Sequence, residues 1–180
     1  MLIRVRDDLE LRSVAPADAV ALDALITADR GRLGRFMPWA AGQTIQGTRE
    51  FIAAALEQEA GKNGFQAVLV VDEGALAGTV GFHRIDRANL TTSIGYWLAA
   101  PYEGRGLMTA AVEALLTHAF EVWGLHRVEL RIAPANQRSR ALAARLGFTE
   151  EGVMRGAERF GDEHRDLIMH SLLAPQWRRR

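Results

Sequence analysis

The sequence contains no cysteine, which excludes disulfides, thiolate metal sites and a covalent thiol nucleophile. It also lacks an excess of charge, because 22 basic residues balance 22 acidic ones, so it offers no general basic field for nucleic acid. The short basic tail Arg178 to Arg180 is expected to be solvated. No apolar run approaches the roughly 20 residues that span a bilayer, and Arg4, Arg6 and Asp7 stand where a signal peptide needs apolar residues. We therefore predict a cytoplasmic protein without a membrane segment, a nucleic-acid partner or a metal site.

The length of 180 residues fits a single domain, residues 1–180, that buries its core without a disulfide or a structural metal. Leu9 to Val14 alternates like a strand, and Pro16 then opens an alanine- and leucine-rich helix that runs to about Ala28. Arg30 to Gly47 has no clear period, which predicts a loop with a helical turn near Phe36.

Further elements follow from the same periodicities. Thr48 is the predicted cap of an amphipathic helix that ends at Ala60. The remaining apolar, β-branched runs predict strands. These are Phe65 to Val71 and Thr79 to Ile85, joined by a hairpin connection over Asp72 to Gly78, and, near the end, Val153 to Phe160 and His164 to Leu172.

The stretch from Thr91 to Phe120 has the order of an anion-binding site: a strand over Thr91 to Leu98, a glycine-rich turn and a long helix. Gly104 and Gly106 form the turn, and the first N–H groups of the helix can bind phosphate oxygens. The alternative is a tight strand-to-helix turn without a ligand, because short G-x-G patterns are common. One helix face is apolar at three-and-four spacing: Leu107, Met108, Ala111, Val112, Leu115, Leu116, Ala119 and Phe120.

A second strand and helix follow this one. Val128 to Ala133 alternates like a strand, and Ser139 to Leu146 is helical. The β–α–β step places Val128 to Ala133 parallel to the Thr91 strand. If the ends of these two strands diverge, a linear ligand that contains amides can hydrogen-bond to both of them, and pantetheine has that shape.

These motifs, in this order, resemble the GNAT superfamily of acetyl-coenzyme A-dependent N-acetyltransferases, and the resemblance covers nearly the whole chain. Its motifs are Ile94-Gly95-Tyr96-Trp97-Leu98, Gly104-x-Gly106, Asn136-x-x-Ser139 and Leu146-Gly147-Phe148. Further motifs resemble the branch of ribosomal-protein N-terminal acetyltransferases: Phe36-Met37-Pro38-Trp39, Glu151-Gly152, Gly161 and Asp166. One departure is Pro101, which stands where the family usually has Gln or Arg, so one charged phosphate contact is in doubt while the main-chain contacts are kept.

The resemblance implies an α/β (α+β) fold with a mixed, mostly antiparallel sheet, a splayed parallel strand pair and flanking helices. It implies acetyl-coenzyme A as cosubstrate, with pantetheine in the splay and the thioester carbonyl on a backbone N–H within residues 98–100. The implied cofactor contacts are Leu98, Tyr102, Gly104, Arg105, Gly106, Leu107, Met108 and Asn136. The predicted acceptor contacts are Phe36, Trp39 and Tyr96, although Phe36 and Trp39 also suit a loop that is merely anchored to the core.

Direct transfer of an acetyl group to an amine needs a proton donor for the thiolate and a base for the amine. The resemblance implies Ser139 as the donor, whereas the residue types alone favour Asn136 or Ser139 as a helix cap. Candidates for the base are Glu103, His83 and Glu151. The start of the Thr91 strand offers no carboxylate, which favours a base further away that acts through water.

Three functions remain open from the sequence. The first is a transferase for a protein N-terminal amine, with a ribosomal protein as the acceptor. The second is a transferase for a small amine such as an amino sugar, a polyamine or an amino acid. The third is a coenzyme A-binding regulatory module without catalysis, which Pro101 and the missing strand carboxylate motivate. Exposed strand edges and the apolar loop from Phe36 to Trp39 also permit a homodimer.

Overall fold

The β-branched runs of the sequence form strands, and the alanine- and leucine-rich runs form helices. A computed structural model describes residues 1–178, so Arg179 and Arg180 of the predicted basic tail lie outside the described residues. The strands are β1 (Leu2–Arg6), β2 (Leu9–Ser13), β3 (Gln66–Val71), β4 (Ala75–Phe82), β5 (Thr91–Leu98), β6 (Arg127–Ile132), β7 (Thr149–Phe160) and β8 (Glu163–Leu173). The helices are α1 (Ala19–Ala28), α2 (Arg30–Leu33), α3 (Ile45–Ala60), α4 (Leu107–Thr117), α5 (Gln137–Arg145) and α6 (Ala174–Trp177). In this part of the chain no helix is long and apolar enough to cross a bilayer.

The eight strands form one mixed sheet in the order β1, β2, β3, β4, β5, β6, β8, β7. Strands β5 and β6 are parallel, whereas the other neighbouring strands are antiparallel. The parallel pair is joined only where residues 91–93 face residues 127–129, and the two strands then separate. The structure therefore confirms the predicted mixed sheet with a splayed parallel pair.

Each face of the sheet carries its own core, because side chains alternate along every strand. One core packs against α4 and α5 and includes Phe82 and Ile94. The other packs against α1 and α3 and includes Val68 and Trp97. The whole predicted apolar face of α4 and of the wide helical turn after it, residues 118–122, is buried. This burial fixes the start of α4 beside the glycine-rich turn.

The predicted cap of α3 is wrong. The helix begins at Ile45, and the hydroxyl of Thr44 accepts a hydrogen bond from the Gly47 N–H at 3.1 Å. Thr48 lies one turn inside the helix, where it is buried and contacts Gln43 Nε2 at 3.0 Å. Two threonines four residues apart precede the same apolar face, so sequence spacing did not separate a cap from a buried hydroxyl.

Other element boundaries also differ from the predictions. Strand β1 was not predicted, because its charged residues mask Ile3 and Val5, which pack on the core. The connection before β4 is shorter than predicted, since β4 already begins at Ala75. Strand β7 begins at Thr149, before the predicted start at Val153. The helical turn predicted near Phe36 is found slightly earlier, as α2.

Candidate active site

The glycine-rich turn presents an open helix start. Gly104 and Gly106 have φ angles of 78° and 72°, in the left-handed region that favours glycine. No heavy atom lies within 4 Å of the position that a Cβ on Gly104 would occupy. Within residues 1–178, no side chain caps the start of α4 at Gly106. The first N–H groups of α4 can therefore donate hydrogen bonds to phosphate oxygens, which fits the pyrophosphate of coenzyme A.

The side chain of Arg105 is engaged with acidic neighbours. Its guanidinium lies 2.8 Å from Asp72 Oδ2 and 3.9 Å from Asp8 Oδ2. Its carbonyl oxygen accepts a hydrogen bond from Arg6 at 3.3 Å. These contacts tie the turn to β1 and to the segment after β3. The predicted contact of the Arg105 side chain with phosphate stays a prediction.

The end of β5 directs peptide groups that have no partner on a neighbouring strand into the gap where β5 and β6 separate. The Ala99 N–H donates to the Ala77 carbonyl at 2.9 Å, so residue 99 faces β4. Peptide groups in an antiparallel ladder alternate in direction, so those of Tyr96 and Leu98 face the opposite side, toward β6. Strand β6 has already diverged there. The amides of Tyr96 and Leu98 thus border the gap where a linear ligand would pair.

A polar network surrounds the end of β5 and narrows the predicted oxyanion range. The Ala100 N–H donates to Asp29 Oδ2 at 2.9 Å, and the Leu98 carbonyl accepts from Arg32 at 2.6 Å. Arg32 also contacts Asp29 and lies 2.6 Å from Glu103. Because the Ala99 and Ala100 amides are both taken, the Leu98 amide is the remaining donor of the three.

Ser139 and Tyr96 meet at the other side of the splay. Their hydroxyl oxygens lie 2.6 Å apart. Loss of hydration raises the pKa of Tyr96 to about 12, so its phenol stays protonated at neutral pH. Asn136 caps α5, since its side-chain oxygen accepts the Ser139 N–H at 3.2 Å. The cap role weighed for Asn136 is therefore present, and it holds Ser139 at the first turn of α5.

A cavity of about 850 Å³ connects these groups with the opposite face of the sheet. It extends from α5, through the gap between β5 and β6, to α1 and α3. Six of the residues predicted for catalysis or binding line it: Phe36, Trp39, His83, Tyr96, Asn136 and Ser139. Trp39 lies edge-on to Trp97, with ring centroids 6.3 Å apart. Both tryptophans belong to the lining of the cavity.

Two titratable groups in the cavity can accept a proton. Desolvation lowers the pKa of His83, and the positive charge of Arg131 lowers it further, so the ring is neutral at pH 7. A Cβ on Gly95 would stand 2.7 Å from His83 Nε2, which makes glycine necessary beneath the ring. Burial raises the pKa of Glu158 above its ordinary value, although the charge of nearby Arg165 opposes this.

The sequence did not point to Glu158. Strand β7 contains a register shift between Met154 and Glu158, with Gly156 at a φ of 58°. An interior glycine in a strand signals such a bulge, and this was the only local sign that a side chain is redirected. The position of Glu158 in the cavity lining follows only from the three-dimensional structure.

Two other candidate bases lie outside the cavity lining. Glu103 pairs with Arg32 and with Arg138. Glu151 pairs with Arg127 at 2.6 Å, and this bond, followed by one from Ser171 at 2.6 Å, lowers its pKa to about 2. A carboxylate of such low basicity is poorly suited to accept a proton from an amine.

Three features of the site together define an acyl-coenzyme A-dependent transferase. They are the open helix start, the splayed strands with unpaired amides, and the cavity that joins a hydroxyl pair to two groups that can accept a proton. Residues 8–149 match the family described as "Acetyltransferase (GNAT) domain". The chain belongs to this family of acetyltransferases, and acetyl-coenzyme A is its cosubstrate.

Three related proteins show the range of the family. A protein of Bacillus subtilis named "Putative ribosomal N-acetyltransferase YdaF" is 38% identical over 97% of this chain and 96% of its own. The solved structure of RimL, a ribosomal L7/L12 α-N-protein acetyltransferase in complex with coenzyme A, has a TM-score of 0.91 at 26% identity, covering 98% and 99% of the two chains. The microcin C7 self-immunity acetyltransferase MccE, in complex with acetyl-CoA and AMP, has a TM-score of 0.88 at 30% identity, covering 95% of each chain.

Proposed function

We propose that this acetyltransferase acts on the N-terminal amine of a protein, and that the protein is a ribosomal one. The observation that supports the proposal is the continuous cavity lined by Ser139, His83 and Glu158. We assign Ser139 to its coenzyme A end, and His83 and Glu158 to its acceptor end. The similarity to YdaF and RimL supports a ribosomal acceptor. A cytoplasmic location, where ribosomal proteins are made, goes with this acceptor.

The acceptor amine enters from the face that carries α1 and α3, because Trp39, His83 and Glu158 border the cavity there. It must lose its proton before it can attack the thioester carbon. Glu158 is our first choice for the base, since its raised pKa makes it a stronger base than an ordinary carboxylate. His83, neutral at pH 7, is the second.

The tetrahedral oxyanion takes a hydrogen bond from the Leu98 amide, the donor left over in the predicted range. As the carbon–sulfur bond breaks, the electron pair leaves with sulfur, and Ser139 donates its proton to the thiolate. The Tyr96 hydroxyl, 2.6 Å from Ser139 Oγ, holds the Ser139 hydroxyl in place. After the products leave, the base releases the amine proton to solvent and Ser139 takes up a proton from solvent, so both side chains return to their starting states. No covalent enzyme intermediate is required.

The test combines binding and turnover in one preparation. Calorimetric titration measures acetyl-CoA binding, and release of free coenzyme A thiol is followed with peptides that copy ribosomal-protein N-termini. Turnover of these peptides, lost when their N-terminus is blocked, is the expected result. Binding of acetyl-CoA without turnover of any free N-terminal peptide would contradict the proposed acceptor.

A small amine is the second candidate acceptor, and one observation favours it. MccE, a relative of 30% identity, was solved with acetyl-CoA and AMP, so a closely similar fold accommodates a small ligand beside the cosubstrate. Polyamines, amino sugars, amino acids and aminoacyl nucleotides therefore belong in the same assay. Turnover of one of these groups, with none of the peptides, would assign the small-molecule function instead.

A further inference from the structure

The cavity lining contains more positively charged than negatively charged side chains. Arg84 and Arg131 contribute two positive charges, whereas Glu158 contributes the one carboxylate among the described lining residues. His83 adds no charge at pH 7 because its pKa is lowered. The cavity lining therefore carries a net positive charge, two arginines against one glutamate, although the whole chain has a formal net charge of zero.

These two arginines are weakly neutralised by their neighbours. Glu129 lies 3.6 Å from Arg131, but it also holds Arg127 at 2.8 Å. Arg84 has no carboxylate within 4 Å among residues 1–178. Asp86 interacts with the charge of Arg84 only at longer range, and its carboxylate accepts hydrogen bonds from the Ala88 and Asn89 N–H groups, both at 3.0 Å.

Arg84 also joins the cavity to a second hollow on the surface. This open hollow of about 660 Å³ is lined by three basic residues, Lys62, Arg84 and Arg87, and by one acidic residue, Asp86. A chain that leaves the cavity past Arg84 would therefore continue along a predominantly basic surface. An amine that is part of a longer chain can use this path, whereas a free small amine cannot.

We propose that the acceptor is a peptide N-terminus with acidic residues directly after the acetylated residue, and that Arg84 and Arg131 select it. This inference rests on the proposed function and names the substrate class of the same site. The acidic side chains pair with the two guanidinium groups while the amine lies at the base. The same positive field disfavours a protonated amine and a basic peptide, so it also favours the neutral nucleophile.

The experiment compares amidated peptides that differ only at the second and third residues, with Glu-Glu, Gln-Gln or Lys-Lys at these positions. For the wild type we expect kcat/KM to fall in this order, by about 1.4-fold to fivefold for each charge lost, the range given by partly exposed ion pairs. The preference should shrink as salt is added, because screening weakens it. Arg84→Ala and Arg131→Ala should each reduce it, and the double substitution Arg84→Glu with Arg131→Glu should reverse it in favour of Lys-Lys.

Arg4→Ala is the matched control, since Arg4 is an exposed arginine on β1, at the opposite edge of the sheet. It removes the same charge and should keep the wild-type preference. Acetyl-CoA affinity, measured for every variant, shows that the fold is intact. Equal rates for the three peptides, or a preference unchanged in the reversed variant, would overturn the inference and leave the proposed function standing. Turnover of none of the peptides would overturn both.

Discussion

Removal of the Ser139 hydroxyl should show whether this group donates a proton in catalysis or only makes a packing contact. In Ser139→Ala the thiolate loses its donor, and general acid catalysis contributes about 10²- to 10⁴-fold. We expect kcat to fall at least about 100-fold, equivalent to about 2.7 kcal/mol in the barrier. Acetyl-CoA affinity should change little, because none of the predicted pyrophosphate and pantetheine contacts involves this hydroxyl.

The same substitution has a cost in stability that follows from the Tyr96 contact. Tyr96 Oη lies 2.6 Å from Ser139 Oγ, and loss of this partner leaves a desolvated hydroxyl unsatisfied. Such a loss costs about 1–3 kcal/mol in the free energy of unfolding. For a chain of this size the Tm should fall by about 2–4 °C for each kcal/mol. Adding Tyr96→Phe removes the stranded hydroxyl, so the double variant should lose less stability than the sum of the single variants.

Thermal unfolding, calorimetry and thiol release on the four proteins of this cycle measure both quantities. Ser139→Thr keeps a hydroxyl and serves as the control, with most of kcat retained. A Ser139→Ala protein with unchanged kcat would refute the role of Ser139 as the donor. Strict additivity of the stability losses would refute the hydroxyl pair.

Three further results are expected. Gly106→Ala puts a residue with a Cβ in the left-handed region, at a cost of about 1–2 kcal/mol, and should weaken acetyl-CoA binding. The control is Gly31→Ala in α2, where a Cβ meets no atom within 4 Å, and it should change neither stability nor binding. Thermal unfolding and calorimetry measure the two effects. Because the pKa of Glu158 is raised, kcat/KM should fall on acidification at a higher pH than it would for an ordinary carboxyl base. Glu158→Gln should remove this acidic limb of the pH profile and most of kcat. An unchanged pH profile would exclude Glu158 as the base. The pKa of Glu151 is lowered to about 2, so the stability that its ionised form gives the folded protein is complete above the unfolded pKa of 4.5 and is lost as pH falls from 4.5 to 2. After discounting for exposure, this contribution to the free energy of unfolding is about 1 kcal/mol. Glu151→Gln should therefore flatten the dependence of stability on pH over that window, as acid unfolding curves will show.

Local pattern was sufficient for the elements whose signal is periodic. The apolar face of α4 and the β5 strand were predicted correctly because burial on one face imposes a fixed spacing on the sequence. Strand β1 and the start of β7 were missed, since edge strands with polar outer residues have a weak pattern. The cap of α3 was misplaced because Thr44 and Thr48 are equivalent in sequence and differ only in burial.

The sequence by itself determined the glycine turn, the helix start that follows it and the β–α–β connection that makes two strands parallel, because each follows from the pattern of a continuous stretch of chain. Only the tertiary structure decided which side chains share the cavity. In the folded chain Ser139 hydrogen-bonds to Tyr96, and Glu103 and Glu151 form ion pairs with arginines outside the cavity lining. Glu158 lines the cavity because strand β7 is bulged there. The pKa of a carboxyl group depends on neighbours that are distant in sequence, and local spacing contains no information about them.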